Sequence, residues 1–289
     1  MRNILNKQYK DGLKMIRNIS EQTVLNNGVK MPRLGLGVWQ VKEGQEVVEA
    51  VEYALKSGYR SIDTAAVYGN ETGVGEAIKL SGIPREELFV TTKVWNAAQG
   101  YDLTLRAFEE SRKKLGLEYI DLYLIHWPVK VKYKETWKAL VKLNREGMVR
   151  AIGVSNFQIY HLQNILDLSD VVPAINQVEY HPLLTQKELH DFCKENGIQL
   201  EAWSPLMQGS LDIPLLKELA EKYGKSPAQI VLRWDLQKEV ITIPKSVHKQ
   251  RIIENSQVFD FELTQDDMIR IDGLNQNHRF GPDPDSFNF

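Results

Sequence analysis

The stretch Ile120–Trp127, IDLYLIHW, decides the fold, because an apolar run typical of a buried strand ends there in an ionisable residue, His126. Two earlier runs have the same form: RSID ends in Asp63, and LFVTTK ends in Lys93. An ionisable side chain at the end of an apolar strand is costly to bury unless it is paired or used. Three of them on consecutive strands predict one shared site, at the strand ends where parallel barrels carry out their chemistry.

Strand-like and helix-like segments alternate from Arg33 onward. Eight strands with helices between most of them favour a closed (β/α)₈ barrel, a TIM barrel of the α/β class, over an open doubly wound sheet. The strands are predicted at Arg33–Val38, Ser61–Ala65, Leu88–Val94, Ile120–His126, Ala151–Ser155, Ala174–Tyr180, Leu200–Ser204 and Val240–Pro244.

Helical periodicity fills the segments between these strands. Val47, Val48 and Val51 recur on one face of Gln45–Ser57, and Gly58 is typical of a helix end. Similar patterns predict helices at Thr104–Leu115, Tyr133–Arg145, His161–Leu168 and Gln186–Glu195, with extra helices near the C-terminus at Pro214–Tyr223, Ala228–Gln237 and Gln265–Leu274.

A β-hairpin is expected before the barrel. Asn27-Gly28 within Thr23–Met31 indicates a tight turn, in which these two residues supply the positive φ angles. No linker or low-complexity segment divides the rest of the chain. We therefore expect residues 1–22 to form an N-terminal extension and residues 23–289 to form a single barrel domain.

Composition and charge indicate an ordinary globular protein and exclude several classes. The 289 residues are 43% hydrophobic and 26% charged, and the net charge of -2 offers no basic surface for nucleic acid or an anionic membrane. No apolar run approaches the roughly 20 residues of a membrane span, and the first residues lack the apolar core of a signal peptide. Cys193, the single cysteine, cannot form an internal disulfide, which favours the reducing cytoplasm. The six histidines show no metal-ligand spacing.

Short motifs follow one another in a fixed order along the chain. They are Gly58–Ala65, Tyr68–Glu71, Thr92–Trp95, Asp121–Pro128, Ile152–Phe157, Asn176–Glu179, Trp203–Leu206 and Ile243–Val247. Their joint order resembles that of the aldo-keto reductases along nearly the whole chain. The resemblance is strongest to the small bacterial members that reduce glyoxal, methylglyoxal and other reactive carbonyls. It implies a monomeric barrel enzyme that uses NADPH/NADP⁺ to reduce aldehydes and ketones.

Carbonyl reduction explains why four of these residues would stand together. Negative charge builds on the carbonyl oxygen as hydride arrives, and Tyr68 can supply a proton, although a free phenol has a pKa near about 10. Lys93 beside it would lower that pKa, and Asp63 would hold Lys93 charged and in place. His126 would orient the carbonyl and donate a hydrogen bond to the developing oxyanion. The resemblance assigns these four residues the same roles.

The cofactor site is expected after the last strands, since no Gly-x-Gly-x-x-Gly motif follows the first strand. Loops there and a helix N-terminus form the usual phosphate site of such barrels. The resemblance assigns Lys245, Ser246 and Arg251 to the adenosine 2′-phosphate, which favours NADPH over NADH. It assigns Glu254 and Asn255 to the adenine, Ser155, Asn156, Gln177 and Trp203 to the nicotinamide, and Ser204, Leu206 and Val247 to the remaining cofactor contacts.

The substrate is expected at a mouth walled by Trp39 and Trp127, next to Tyr68 and His126, as the motif positions of these residues imply. The segment that follows His126 is short before the next helical pattern begins. This predicts an open and permissive pocket, and the proline-rich segment Phe280–Asp285 is a further candidate for its lining.

Other interpretations of the same residues remain open from the sequence. Taken singly, each of the four polar residues has an ordinary structural role, such as capping a loop, packing or forming an ion pair. A different barrel enzyme could use Lys93 as a Schiff-base nucleophile, which requires a neutral amine, whereas Asp63 nearby favours the cation. An NADPH-binding regulatory module without significant turnover is the third class, and the intact set of four residues argues against it.

Overall fold

The computed structural model describes residues 18–289, so the predicted extension over residues 1–22 lies mostly outside the described residues. The first element is an antiparallel hairpin of β1 (Gln22–Val24) and β2 (Lys30–Pro32). The predicted hairpin is therefore present ahead of the barrel.

The hairpin turn differs from the one predicted. Gly28 has a left-handed φ of 85°, but Asn27 does not, whereas the predicted two-residue turn needs a positive φ at both positions. The Leu25 amide instead donates to the Val29 carbonyl oxygen at 2.8 Å, which closes a three-residue loop. Such loops place a single left-handed residue, usually glycine, at their end.

Eight parallel strands form the barrel, and their spatial order follows the chain. Parallel bridges join Leu34 to Thr242 and Gly37 to Lys245, which brings the first strand beside the last and closes the barrel. Gly37 permits this contact, because a Cβ atom there would lie 2.9 Å from the Ile243 carbonyl oxygen. The strands are β3 (Leu36–Gly37), β4 (Ser61–Asp63), β5 (Phe89–Val94), β6 (Ile120–Ile125), β7 (Val149–Ser155), β8 (Ile175–Glu179), β9 (Gln199–Trp203) and β10 (Ile241–Thr242).

The predicted (β/α)₈ barrel is confirmed, but its first and last strands are shorter than expected. Only Leu36–Gly37 of the predicted Arg33–Val38 pairs as a strand, and only Ile241–Thr242 of the predicted Val240–Pro244 does so. Beyond these short strands, isolated bridges make the closing contact between β3 and β10.

Helices follow the strands and cover the outside of the barrel. No helix within residues 18–289 is both long enough and apolar enough to cross a membrane. The helices are α1 (Gln45–Lys56), α2 (Glu71–Ser81), α3 (Tyr101–Leu115), α4 (Tyr133–Arg145), α5 (Ile159–Leu166), α6 (Lys187–Glu195), α7 (Pro214–Tyr223), α8 (Pro227–Gln237), α9 (Lys249–Ser256) and α10 (Gln265–Asp272).

Helix α2 is not predicted by the sequence pattern, and its glycines are the reason. Gly73 and Gly75 lower the helix propensity of this segment. Tertiary packing requires them, because a Cβ atom at Gly73 would lie 2.4 Å from the Val47 side chain of α1. A Cβ atom at Gly75 would lie 2.3 Å from the carbonyl oxygen of Leu115 in α3. The glycines therefore allow α2 to pack closely between its two neighbours.

The hairpin packs against the interior of the barrel with apolar side chains. Leu25 and Met31 belong to the same buried cluster as Phe89, Leu122 and Ile175, which come from three different strands. Met31 is fully buried. Phe89 and Ile175 are the first residues of β5 and β8, so this cluster fills the amino-terminal end of the barrel. The carboxyl ends of the strands are left to form a site.

Candidate active site

The four predicted catalytic residues lie together at the carboxyl ends of neighbouring strands. Asp63 is the last residue of β4, Lys93 lies near the end of β5, and His126 directly follows β6. Tyr68 ends a 3₁₀ turn, Ala66–Tyr68, that follows β4. The short connection from Asp63 to Tyr68 returns the phenol over the barrel, where it meets side chains from β5 and β6.

A buried ion pair of Asp63 and Lys93 forms the bottom of the site. Lys93 Nζ donates to Asp63 Oδ1 at 2.5 Å and to the Thr64 carbonyl oxygen at 2.9 Å. Burial lowers the pKa of Lys93, but Asp63 and Tyr68 together raise it more, so its pKa lies above the ordinary value. Lys93 is therefore a cation and not the neutral amine that a Schiff-base nucleophile requires.

The Tyr68 phenol lies against Lys93, whose Nζ is 5.2 Å from the centre of the tyrosine ring. Burial raises the pKa of Tyr68 and Lys93 lowers it, but burial is the larger effect. Lys93 therefore lowers the Tyr68 pKa as expected, but burial outweighs it and the pKa stays above its ordinary value. The phenol keeps its proton at neutral pH, which is the form that a general acid needs.

His126 is held as a neutral imidazole. Burial lowers its pKa well below the usual value, and the nearby Lys93 cation lowers it further. Its ring meets Tyr68 edge to face at a centroid distance of 5.7 Å, and Trp95 at 5.2 Å. Its backbone carbonyl oxygen accepts from Asn156 Nδ2 at 3.0 Å. A neutral imidazole still carries one N–H donor, so it can orient a carbonyl oxygen beside Tyr68.

A cavity of about 1250 Å³ opens above these residues, with Asp63, Tyr68 and His126 in its wall and Lys93 beneath it. This volume exceeds the roughly 300–1,000 Å³ of common ligand pockets. Val247 is the one predicted cofactor residue outside the cavity, since it packs against the hydrophobic core. The other predicted cofactor and substrate residues all line it: Trp39, Trp127, Ser155, Asn156, Gln177, Trp203, Ser204, Leu206, Lys245, Ser246, Arg251, Glu254 and Asn255.

Hydrogen bonds tie the predicted nicotinamide residues to the ion pair. Ser155 Oγ donates to the Gln177 carbonyl oxygen at 2.8 Å, and Gln177 Nε2 donates to Asp63 Oδ2 at 2.8 Å. Asn156 has a left-handed φ of 65°, and its Oδ1 accepts from Trp203 Nε1 at 2.8 Å. The Trp203 indole is thereby fixed beside the cavity. Of these side chains, Gln177 is the one bonded directly to Asp63.

The opposite end of the cavity is basic. Lys245 and Arg251 both line it, and neither forms an ion pair with another of residues 18–289. Ser246 Oγ accepts from the His248 amide at 3.1 Å, just before α9 begins. Two unpaired cations beside a helix N-terminus suit a phosphate group. No group of three or more acidic, histidine or cysteine side chains placed to hold a metal ion occurs in the described part of the chain.

Aromatic side chains surround the entrance. Trp39 is 48% exposed at its rim. Trp127 is buried against Phe287 and Phe289, at centroid distances of 5.0 and 5.3 Å. Phe289 also stacks on Trp95, at 5.8 Å and nearly parallel. The chain after the predicted tail segment thus contributes to the wall as well.

The predicted tail segment reaches the cavity through its first residues. The amides of Phe280 and Gly281 donate to the Glu179 carboxylate, at 2.6 Å and 3.2 Å. Gly281 lies directly on Trp203, because a Cβ atom there would be 2.3 Å from the indole ring. Gly281 and Pro282 line the cavity, so this part of the tail holds one side of Trp203 in place.

Trp95 and Glu201 are two of the site residues that the sequence does not single out. Trp95 lines the cavity and contacts His126, although its motif gives it no role. Glu201 lies inside β9 and accepts from Gln177 Nε2 at 2.9 Å. A signal for it exists, because Glu201 is an acid in the middle of the strand QLEAW, Gln199–Trp203.

Sequence comparison identifies close relatives. The Aldo/keto reductase family profile matches residues 33–276. The uncharacterized oxidoreductase YtbE of Bacillus subtilis is 61% identical over 95% of this chain and 100% of its own length. A glyoxal reductase of the same species is 59% identical over 95% of this chain and 100% of the relative. The methylglyoxal reductase DkgA of Escherichia coli is 51% identical over 91% of this chain and 96% of the relative.

Solved structures share the fold. An aldo-keto reductase from a Medee basin deep-sea metagenome library superposes with a TM-score of 0.90 at 45% identity, over 93% of this chain and 100% of that one. A Bombyx mori aldo-keto reductase in complex with NADP superposes with a TM-score of 0.86 at 40% identity, over 92% of this chain and 96% of that one. The resemblance seen in the motifs is confirmed: the chain belongs to the aldo/keto reductase family, and it is an oxidoreductase.

Proposed function

We propose that the protein catalyses the NADPH-dependent reduction of aldehydes and ketones to alcohols, with Tyr68 as the general acid. One observation carries the proposal: an enclosed ion pair of Asp63 and Lys93 lies against the Tyr68 phenol in a cavity that also presents neutral His126. Enclosing a cation costs free energy even when it is paired. Here the ion pair is explained by function, because it holds a positive charge beside a proton donor.

The chain's own residues handle the carbonyl oxygen and its proton. NADPH, when bound, supplies the hydride that the carbonyl carbon accepts, and NADP⁺ and the alcohol are the products. His126 donates a hydrogen bond to the carbonyl oxygen and orients it. Tyr68 gives its proton to that oxygen, and Lys93 stabilises the tyrosinate that remains. Asp63 keeps Lys93 ionised, and a proton from solvent restores Tyr68.

The polar residues of the cavity fit this cofactor. Lys245 and Arg251 offer two cations to one phosphate, which favours NADPH over NADH. Trp203 offers an indole face to the nicotinamide, and Asn156 and Gln177 offer polar groups to its carboxamide. The Bombyx mori relative solved in complex with NADP supports the assignment. The remaining cofactor contacts are assigned to Ser155, Ser204, Leu206, Ser246, Glu254 and Asn255, and not to Val247, which packs against the core.

The substrates we propose are small reactive carbonyls, with glyoxal and methylglyoxal first. Relatives named for these two compounds are 59% and 51% identical to this chain. Trp39, Trp95 and Trp127 give the entrance aromatic walls, which also suit an aromatic aldehyde. We place the enzyme in the cytoplasm as a monomer, where removal of such carbonyls is a detoxification. Cys193 is buried and forms no disulfide, which supports a reducing compartment. The monomeric state remains a prediction.

Turnover is tested by following NADPH oxidation with glyoxal, methylglyoxal and an aromatic aldehyde, with NADH in parallel. We expect reduction of at least one of these carbonyls and a clear preference for NADPH. Tight NADPH binding without turnover of any carbonyl contradicts the proposal and indicates a regulatory module instead.

A further inference from the structure

A buried acid lies directly beneath the proposed active site. Glu201 is 1% exposed, and its strand β9 pairs with β8 so that Glu201 stands opposite Gln177. Asp63 and Gln177 line the cavity, but Glu201 does not, so it lies below the cavity wall. Glu201 is not one of the four proposed catalytic residues and has no role assigned so far. A carboxyl group enclosed in this way is costly unless it is hydrogen-bonded.

The side-chain amide of Gln177 joins Glu201 to the catalytic ion pair. Gln177 Nε2 donates to Glu201 Oε2 at 2.9 Å and to Asp63 Oδ2 at 2.8 Å. Asp63 Oδ1 in turn accepts from Lys93 at 2.5 Å. An amide nitrogen carries two hydrogens, and both are used here. The amide oxygen of Gln177 is therefore the polar atom that this side chain has left for a ligand in the cavity.

We propose that Glu201 is a positioning residue, which fixes the Gln177 amide so that its oxygen is presented to the nicotinamide end of the cofactor while Asp63 stays on Lys93. The inference rests on the proposed function, because it takes the cofactor to lie above Gln177. Without an acceptor on Glu201, one N–H of Gln177 loses its partner inside the barrel. The amide can then turn over, which exchanges its oxygen for its nitrogen beside Asp63.

The surroundings of Glu201 contain few charges. Asp63 of β4 and Lys93 of β5 act on it, Gln177 of β8 is its hydrogen-bond donor, and the apolar Ile241 of β10 stands beside it in register. Burial raises the pKa of Glu201 to about 8; Asp63 raises it as well, while Gln177 and Lys93 lower it. Glu201 is thus neutral at neutral pH, so that Asp63 and Lys93 balance each other.

Ionisation of Glu201 adds a second negative charge next to the ion pair. This charge raises the pKa of Tyr68 and of Lys93. A Tyr68 with a higher pKa is a poorer proton donor to the carbonyl oxygen. Proton donation by Tyr68 therefore weakens as the pH rises through about 8, where Glu201 loses its proton.

The test compares kcat/KM across pH, and NADPH affinity, in the full-length wild type and three variants. Glu201→Gln copies the neutral acid, because it offers Gln177 one acceptor oxygen and carries no charge. Glu201→Leu removes the acceptor. Asp235→Asn is the matched control, since Asp235 is also a buried acid, but it accepts from Thr242 Oγ1 at 2.8 Å on the helix side of β10.

We expect kcat/KM of the wild type and of Asp235→Asn to fall by about tenfold from neutral to alkaline pH. Glu201→Gln should match the wild type at neutral pH and lose this decline. Glu201→Leu should bind NADPH about tenfold more weakly and be less active at every pH, because the Gln177 amide is no longer fixed.

Two results overturn the inference: an unchanged alkaline decline in Glu201→Gln, or a Glu201→Leu variant that only melts at a lower temperature while its kinetics and NADPH affinity match the wild type. Failure of the proposed function is distinguishable, since then the wild type itself turns over no carbonyl. In that case NADPH affinity still decides, because the inference requires Glu201→Leu to bind more weakly than Asp235→Asn.

Discussion

Lys93 Nζ lies 2.5 Å from Asp63 Oδ1, and the barrel encloses both side chains, of which Lys93 is 0% and Asp63 is 2% exposed. A buried ion pair contributes little or nothing to stability compared with well-packed apolar residues. The pair is therefore better explained by its position against Tyr68, where it supplies a fixed positive charge. Breaking it should affect the fold and the site together.

Replacing the acid of this pair tests its burial. Asp63→Asn leaves Lys93 without its carboxylate, and we expect the free energy of unfolding to fall by about 3–5 kcal/mol, measured by urea denaturation. Glu135→Gln is the control, because Glu135 pairs with Lys138 at 2.7 Å on the surface and should hardly change stability. Equal effects of the two substitutions would contradict the enclosed pair.

The phosphate assignment predicts a charge effect that is specific to one cofactor. Lys245→Ala and Arg251→Ala should each raise the KM for NADPH by about ten- to a hundredfold, because each removes a charged contact to the 2′-phosphate. The KM for NADH should stay nearly unchanged, since NADH lacks that phosphate.

Lys249→Ala provides the matched control for the phosphate site. Lys249 lies on the same helix as Arg251, but its ammonium is 5.5 Å from the centre of the Tyr53 ring and it does not line the cavity. Steady-state kinetics with both cofactors measure all three variants. A loss of NADPH affinity as large in Lys249→Ala as in Arg251→Ala would mean that only the general charge of α9 matters.

His161 should make the protein less stable in mild acid. Its Nδ1 accepts from the Gln158 amide at 3.1 Å, and burial lowers its pKa to about 4. The unfolded chain takes up this proton near pH 6.5, so stability is lost as the pH falls from about 6.5 towards about 4. His161→Gln keeps an acceptor at this helix start without a titrating group and should lose less stability over that range.

Urea unfolding at neutral and mildly acidic pH measures the effect, with His278→Gln as the control because His278 is exposed. The control should follow the wild type. An acid loss in His161→Gln that equals the wild-type loss would assign the pH dependence to other groups.

The alternation of strands and helices is readable from the sequence because it depends on local patterns. Closure of the barrel is harder to predict, because it depends on contacts between residues far apart in sequence, such as the bridge from Gly37 to Lys245. Helix α2 escapes prediction because Gly73 and Gly75 oppose helix formation locally and are needed for packing against neighbouring helices.

The four catalytic residues can be predicted from the sequence, because an ionisable residue at the end of an apolar strand is costly to bury unless it is paired or used. The sequence does not show how deeply each one is enclosed, and this depth is what keeps the pKa of Tyr68 above its ordinary value despite Lys93. Glu201 becomes significant only through Gln177, which the fold brings beside it from another strand. The importance of Trp95 is likewise visible only in the folded structure, where its ring contacts His126 and Phe289.

The most direct test of the account is the Tyr68→Phe variant, with kcat for carbonyl reduction and the NADPH dissociation constant measured on the same preparation. Tyr133→Phe is the control, because Tyr133 packs against Phe157 at 5.4 Å away from the cavity. We expect Tyr68→Phe to lower kcat by about 10²- to 10⁴-fold with NADPH affinity nearly unchanged, while Tyr133→Phe keeps both values. Retained turnover in Tyr68→Phe, or NADPH binding lost along with turnover, would contradict the role of Tyr68 as the proton donor.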